Sequence, residues 1–495
     1  MNALTAHLPA LQVIVPMLMA AFVVLLRARS LPWAAATATS LLAFSIAIQL
    51  TLIVMGGSPV TYQMGSWAAP YGIELQVDAL SALVLLVVTG ASSVALIGGR
   101  ESLAAIISAD REPYFFAAWL LALAGMAGIV VAADAFNIFV FMEISSLASY
   151  VLIAGGSDRR ALPATFKYLI MGTVGATFYL IGVGLIYMMT GTLNLADMEL
   201  RVHEVADQKP ILAAAGFITV GLALKAAIFP LHVWLPNAYT YAPHIVTAFL
   251  AACATKVSLY VLLRFDFFVF QQNLVGHDFQ FAAYLMPLAI LGILVGSAVA
   301  MFERNLKRLL AFSSVAQIGY IMLGASMVTA TGLTAATLHM FNHALAKGGL
   351  FLAIAAIAIV AAGCRLNDIA GLARRMPWTF AALVVAGLSL IGVPGTAGFI
   401  SKWYLINAAL ELETGGVALV ALILISSLMA VVYIWRIVES AYFGEPADTK
   451  VTPVPAALVV ILWAVAVANI GFGIMPGLPL ELSETAADIL LGHVQ

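Results

Sequence analysis

The sequence predicts an all-α polytopic membrane protein, and three observations carry that prediction. Of the 495 residues, 63% are hydrophobic and only 9% are charged, with a mean hydropathy of +1.06, far from the composition of a soluble domain. The apolar residues fall in runs long enough to cross hydrocarbon as helices, which takes about 20 residues each. The basic residues, finally, cluster in alternate short connections, as the charge asymmetry of membrane proteins requires.

Taken in order, the runs predict about fourteen transmembrane helices, near residues 10–26, 33–55, 79–98, 114–132, 136–154, 163–189, 211–232, 243–264, 283–302, 307–327, 333–361, 382–406, 416–440 and 453–474. Arg27 and Arg29 follow the first run. A cleaved leader carries its basic residues before the apolar stretch, so this order predicts a retained first span. Arg100/Arg111, Arg159/Arg160, Arg304/Lys307/Arg308 and Arg365/Arg374/Arg375 follow alternate later spans. Placing those connections in the cytoplasm puts both termini outside. No Pro/Ser-rich linker divides the chain, so a single membrane domain over 1–495 is expected, with N-terminal helices over 1–110 and a last helix and tail over 453–495. The net charge of −2 and the lack of a basic tract exclude nucleic-acid binding. Cys253 and Cys364 are too few for an iron–sulfur or structural zinc site, so no metal and no cofactor is expected.

The stretch Leu222–Lys256 is where an apolar chain spends charge. Lys225 lies five residues before Pro230, His232 follows, Pro236 interrupts again, His244 opens the next span and Lys256 lies deep within it. Proline removes a backbone donor and breaks the turn before it, leaving polar groups that need water or protein. An ammonium in hydrocarbon needs hydration, pairing or a transport role. Proton transfer and static snorkelling are the two readings, and histidine at a helix end suits either a relay or an interface.

Glu143 sits near the middle of FNIFVFMEISSLASY, a position where a carboxylate does not face lipid. Burial favours its neutral form and a nearby ammonium favours its charged form, so alternation between those surroundings makes a proton switch. In the second half, His339, His343 and Lys347 recur every four residues and share one helix face. Pro394 and Gly395 mark a further break, and Lys402 follows it inside an apolar segment. Arg436 and Glu439, three apart on a late span, are read as a static pair or as an exit relay. Glu74 and Asp78, four apart, are read as charges sharing a wet helix face at the membrane boundary.

These segments together resemble the antiporter-like membrane family shared by multisubunit cation/proton antiporters and the proton-pumping membrane subunits of respiratory NADH dehydrogenases and related hydrogenases. The resemblance covers roughly residues 70–475 and rests on Glu143, Lys225 in KAAIFPLHVWLPNAY, Lys256, HMFNHALAKGGLF, and Lys402 in GVPGTAGFISKW. It implies two inverted five-helix repeats, over 111–264 and 283–442, with discontinuous helices seven and twelve. It implies a Glu143–Lys225 pair, Lys256 as connecting lysine, His339, His343 and Lys347 as central relay, and Lys402 as terminal lysine. It further implies a bacterial inner-membrane, multi-pass subunit that assembles with other membrane subunits, carries protons and Na+, and has no chemical active site of its own. The antiporter branch is the nearer expectation, since no long charged amphipathic extension follows the last span. The alternative is a proton-channel subunit of a quinone- or hydrogenase-linked respiratory complex.

Overall fold

Inside hydrocarbon every backbone donor and acceptor must be satisfied within the chain, which turns each apolar run into a helix. The computed structural model describes residues 3–28, 30–271, 281–361, 363–445 and 453–492; Arg29 lies outside them. The spans are α1 (Leu8–Val23), α2 (Leu31–Met55), α3 (Ala79–Ala104), α4 (Glu112–Val131), α5 (Ala135–Ala154), α6 (Ala161–Thr190), α7a (Lys209–Ala226), α7b (Leu235–Tyr241) and α8 (His244–Leu263). They continue with α9 (Phe281–Phe302), α10 (Leu306–Ser326), α11 (Ala330–Val360), α12a (Pro377–Ile391), α12b (Ala397–Leu410), α13 (Gly416–Phe443) and α14 (Ala456–Ile474), and α15 (Gly477–Leu490) follows.

Among the described residues, 12 helices are long and apolar enough to cross a membrane, or up to 13 with one bent pair taken as a single span. Two features separate this count from the fourteen expected. Helix α1 has only 16 residues and an internal Pro16, and α12 is divided into two short pieces.

Both expected discontinuities are present. Helix α7a stops where Ala227 turns left-handed (φ 57°), and the chain resumes as α7b after Pro230. The indole of Trp234 donates to the Leu224 carbonyl at 2.9 Å, which among the described residues otherwise accepts only the long 3.3 Å bond from the Ala227 amide at the interrupted end. Helix α12a ends at Gly392 (φ 90°), and Gly395 (φ 85°) redirects the chain into α12b. Both need the left-handed region that glycine enters without a Cβ penalty. Gly398 is a matter of space: a Cβ there would lie 1.8 Å from the Ser389 carbonyl oxygen.

The expected wet helix face around Glu74 and Asp78 is corrected by the structure. Residues before α3 form an antiparallel hairpin of β1 (Val60–Gln63) and β2 (Glu74–Val77), with Val60 opposite Val77. β2 alternates half-buried Glu74 and Gln76 with buried Leu75 and Val77, the period of a strand with one side inward. Asp78 is not solvated. It caps α3 through the Ser81 amide at 3.0 Å and pairs with Arg264.

Two opposite ends of the bundle follow from the contacts. On the basic end, Lys307 reaches the Ala242 carbonyl, Leu306 bonds Cys364, and Arg160 lies over Tyr241. On the other, Ala133 bonds Glu74 and Ala135 bonds Leu193. That second end is called the hairpin end below.

Candidate ion-translocation site

Lys225 projects from the last turn of α7a and is 6% exposed. Its Nζ lies 3.3 Å from Glu143 Oε1 on α5 and donates to Ser146 Oγ at 2.7 Å. The carboxylate side chain keeps 28% of its surface open whereas the lysine side chain keeps 4%. The pair is therefore asymmetric: the ammonium is enclosed and the carboxylate touches the exterior. Beside Lys225 is a cavity of about 20 Å³, lined by Ser145, Ser146, Ser149, Tyr168 and, from α8, Ser258. That volume holds about one water molecule among several hydroxyls.

Lys256 sits on α8 between Ala254 and Val257, which line that cavity, is 1% exposed, and donates to the Ala251 carbonyl at 2.6 Å. It lies within electrostatic range of His339, His343 and Lys347 on α11. The three α11 side chains are buried, and the rings of His339 and His343 stack at 6.1 Å with an interplanar angle of 9°. Their counterpart is a stripe on α10. Lys347 donates to the Leu310 carbonyl at 2.7 Å and to Ser313 Oγ. His339 Nε2 lies 3.0 Å from Gln317 Oε1, and Tyr320 lies edge-on to the same ring at 5.7 Å. Positions 310, 313, 317 and 320 fall on one face of a 3.6-residue helix.

The surroundings of His339 serve both of its protonation states. Its Nδ1 is 2.8 Å from Ser401 Oγ, and that hydroxyl also lies 3.2 Å from the Gly398 carbonyl. With neutral imidazole protonated on Nε2, Ser401 donates to Nδ1. With imidazolium, Nδ1 donates instead and the hydroxyl turns to Gly398. A hydroxyl rotor makes that exchange without moving heavy atoms. His343 offers the complementary property: neither ring nitrogen has a hydrogen-bond partner among the described residues.

Lys402, next along α12b, occupies the break itself. Its Nζ donates to the carbonyls of Leu390 at 3.2 Å and Ile391 at 2.8 Å and to Ser427 at 3.0 Å, and lies 4.8 Å from the centre of the Tyr320 ring. The last carbonyls of a helix lack partners and carry the negative end of its dipole. The ammonium thus stabilises the end of α12a while the break holds it near Ser401 and His339.

The auxiliary residues divide. His232 stacks on Phe229 at 5.3 Å in the α7 break. His244 opens α8 with its Nδ1 buried and without a partner among the described residues, within electrostatic range of Lys307. The expected Arg436–Glu439 pair does not form. Arg436 donates to the carbonyls of Met301 and Glu303 at the end of α9, and Glu439 is exposed. The last carbonyls of a helix lack intrahelical donors, and a guanidinium within reach fills that need.

Several residues escaped the sequence reading. Lys307, read there as a cytoplasmic anchor, is 2% exposed and donates to the Ala242 carbonyl at 2.6 Å. Ser313, Gln317 and Tyr320 carry a legible signal, polar groups at helical spacing in an apolar span. Ser401 was hidden because its partner comes from a helix 62 residues away. Arg264 pairs with Asp78 and bonds Ser81 at 3.2 Å and Tyr260 at 3.3 Å. Burial pushes the Asp78 carboxyl up, but the Arg264 charge and hydrogen bonds with the Ser81 amide outweigh it and hold the group below the ordinary carboxylate value. Among the described residues no three His, Cys, Asp or Glu side chains gather as metal ligands do.

A helical bundle with two broken spans and, among the described residues, five buried lysines, four of them between its ends, is a polytopic membrane protein of the antiporter-like class. The chain belongs to the NADH:quinone oxidoreductase/Mrp antiporter transmembrane family, whose model matches residues 132–430, a superfamily implicated in proton or Na+/H+ translocation. It is 42% identical over 459 residues to NADH-quinone oxidoreductase subunit N of Desulforudis audaxviator, covering 91% of this chain and 90% of that one. It is 30% identical over 407 residues to a Na(+)/H(+) antiporter subunit of Alkalihalophilus pseudofirmus, covering 82% and 80%. Among solved structures, a chain of the Mrp complex from Dietzia sp. DQ12-45-1b superposes with a TM-score of 0.91 at 28% identity, covering 99% of this chain and 98% of that one. A chain of the membrane-bound sulfane sulfur reductase, an archaeal respiratory membrane complex, gives 0.90 at 31%, covering 98% and 97%. Both sequence relatives are bacterial, and this chain is a bacterial multi-pass membrane protein.

Proposed function

We propose that this chain is the D-type, proton-translocating subunit of a multisubunit monovalent cation/proton antiporter, exchanging Na+ for H+ alongside other membrane subunits. The observation that carries the reading is the polar seam running from the Glu143–Lys225 pair through Lys256, His343, Lys347 and His339 to Lys402. Each station holds a titratable group against a hydroxyl, a carbonyl or a second titratable group. Protons reach Lys225, Glu143 governs whether its ammonium keeps or releases them, and Lys402 passes them on at the second break. The inward proton draws on the membrane potential, about 2.3 kcal/mol per elementary charge per 100 mV, together with the ion gradients. Residues 111–264 and 283–442 act as two inverted five-helix units, each with its broken helix fourth in order.

A second reading is favoured by the 42% identity to an NADH-quinone oxidoreductase subunit: a proton channel in a redox-linked complex, in which the same seam responds to electron transfer. Proton flux against an imposed Na+ gradient, in vesicles bearing the intact complex and no electron donor, separates the two. Na+-dependent proton exchange supports the antiporter. Proton movement only during redox turnover supports the alternative and overturns the antiporter.

A further inference from the structure

Helix α8 does not end at Leu263. It continues as a π-helical stretch, Arg264–Gln271, a departure that concentrates at functional sites. This stretch places Asp266 between Phe265 and Phe267 with 1% of its surface exposed. Its Oδ1 accepts from Thr219 at 3.0 Å, and its Oδ2 has no partner among the described residues. The cations of the neighbouring turns are committed elsewhere, Arg264 to Asp78, Ser81 and Tyr260, and Lys225 to Glu143 and Ser146. Among the described residues an ionised carboxylate in such a place has no cation hydrogen-bonded to it, and burial disfavours the charged form. A proton on its carboxyl removes that imbalance.

Its position relates it to Lys225. Thr219 lies on α7a six residues before Lys225, about 9 Å along the helix axis and toward the hairpin end where α7a begins. On α8, Ser258 and Val261 line the cavity beside Lys225, and Asp266 follows Val261 by little more than one turn. Lys225 thus has Glu143 against its amine on one side, and the Asp266 carboxyl lies farther toward the hairpin end, past the α8 residues that line the cavity.

We propose that Asp266 is a second proton-holding partner of Lys225, exchanging a proton with its amine through water drawn from that cavity. The inference rests on the proposed function, and it adds an exchange site on the hairpin side of Lys225. The step balances: the carboxyl O–H breaks as an amine N–H forms, so a neutral acid and a neutral amine become carboxylate and ammonium, and the new ammonium is the counter-charge that the carboxylate otherwise lacks. A lysine that has passed its proton toward Lys256 is recharged in this way without waiting for Glu143.

The test compares Asp266→Asn and Asp266→Glu in the intact complex, by cation-coupled proton flux in vesicles and by infrared difference spectra of the protonated-carboxyl region. Asp266→Asn keeps a partner for Thr219 but cannot titrate. It is expected to remove one protonated-carboxyl band and to lower flux by about 10²-fold or more, within the range of a lost general acid–base group, while Asp266→Glu restores both. Wild-type flux in Asp266→Asn, or an unchanged set of bands, overturns the proposal. Should Asp266→Asn fail to assemble, Thr219→Val decides, since a shifted band supports the assignment and an unshifted one overturns it. Lys225→Ala separates the two levels. If it abolishes flux while Asp266→Asn does not, only this inference falls; if both variants exchange normally, the proposed function falls with it.

Discussion

Replacing Lys402 by arginine separates a lysine that releases its proton from one that merely supplies charge. The site holds an ammonium on two carbonyls at the end of α12a, Leu390 and Ile391, and on Ser427. A guanidinium also donates to carbonyls and hydroxyls, so Lys402→Arg retains donors for these acceptors. Lys402→Met leaves them bare, at about 1–3 kcal/mol for each unsatisfied group. Arginine, however, loses its proton some two to three units higher than lysine, which lowers its neutral fraction by about 10²–10³ at any given pH. Coupled proton flux in Lys402→Arg is expected to fall by that order while the complex assembles and resists heat as the wild type does. Lys402→Met is expected to lose both flux and stability. Flux within a few-fold of wild type in Lys402→Arg would show that the charge at this break never needs to leave, and the relay reasoning would fail.

Gly398→Ala tests the geometry that places both Ser401 and Lys402. A Cβ 1.8 Å from the Ser389 carbonyl forces α12b away from α12a, which is expected to cost about 1–3 kcal/mol or more as overpacking and to depress flux; normal melting together with normal flux would contradict the close approach. The buried Asp78–Arg264 pair supports the hairpin end. Arg264→Met is expected to cost about 3–5 kcal/mol and the double variant Asp78→Asn/Arg264→Met much less, since the single change strands a charge; equal losses in a double-mutant unfolding cycle would refute that. Because the folded-state Asp78 carboxyl lies below the ordinary aspartate value, its contribution is complete above the unfolded value and drains away as pH falls from there through the lower folded value. Acid unfolding of wild type but not of the double variant should show this window.

Much of the architecture was legible in the sequence because hydrocarbon leaves the backbone few choices. Long apolar runs had to become helices, and proline or glycine beside a lone lysine had to mark the two breaks. The site was legible as far as the residues are anomalous in their own segments: Glu143, Lys225, Lys256, Lys347 and Lys402 stand out against apolar neighbours. What remained hidden were pairings fixed only by packing. Ser401 turns toward His339 because α12b crosses α11, and Arg436 finds the end of α9 rather than Glu439 three residues on. Asp78 looked like a wet boundary charge until α8 brought Arg264 to it across 186 residues. Lys307 read as one more basic loop residue, because only the fold shows that α7b ends above it.

The central claim is that protons pass through Lys225 under the control of Glu143. Its most direct test is cation-coupled proton flux, with no electron donor, in vesicles carrying the intact complex with Lys225→Ala. Abolished exchange with the complex fully assembled is the predicted result. Normal coupled exchange in that variant would contradict the account, and loss of assembly alone would make the residue a scaffold element.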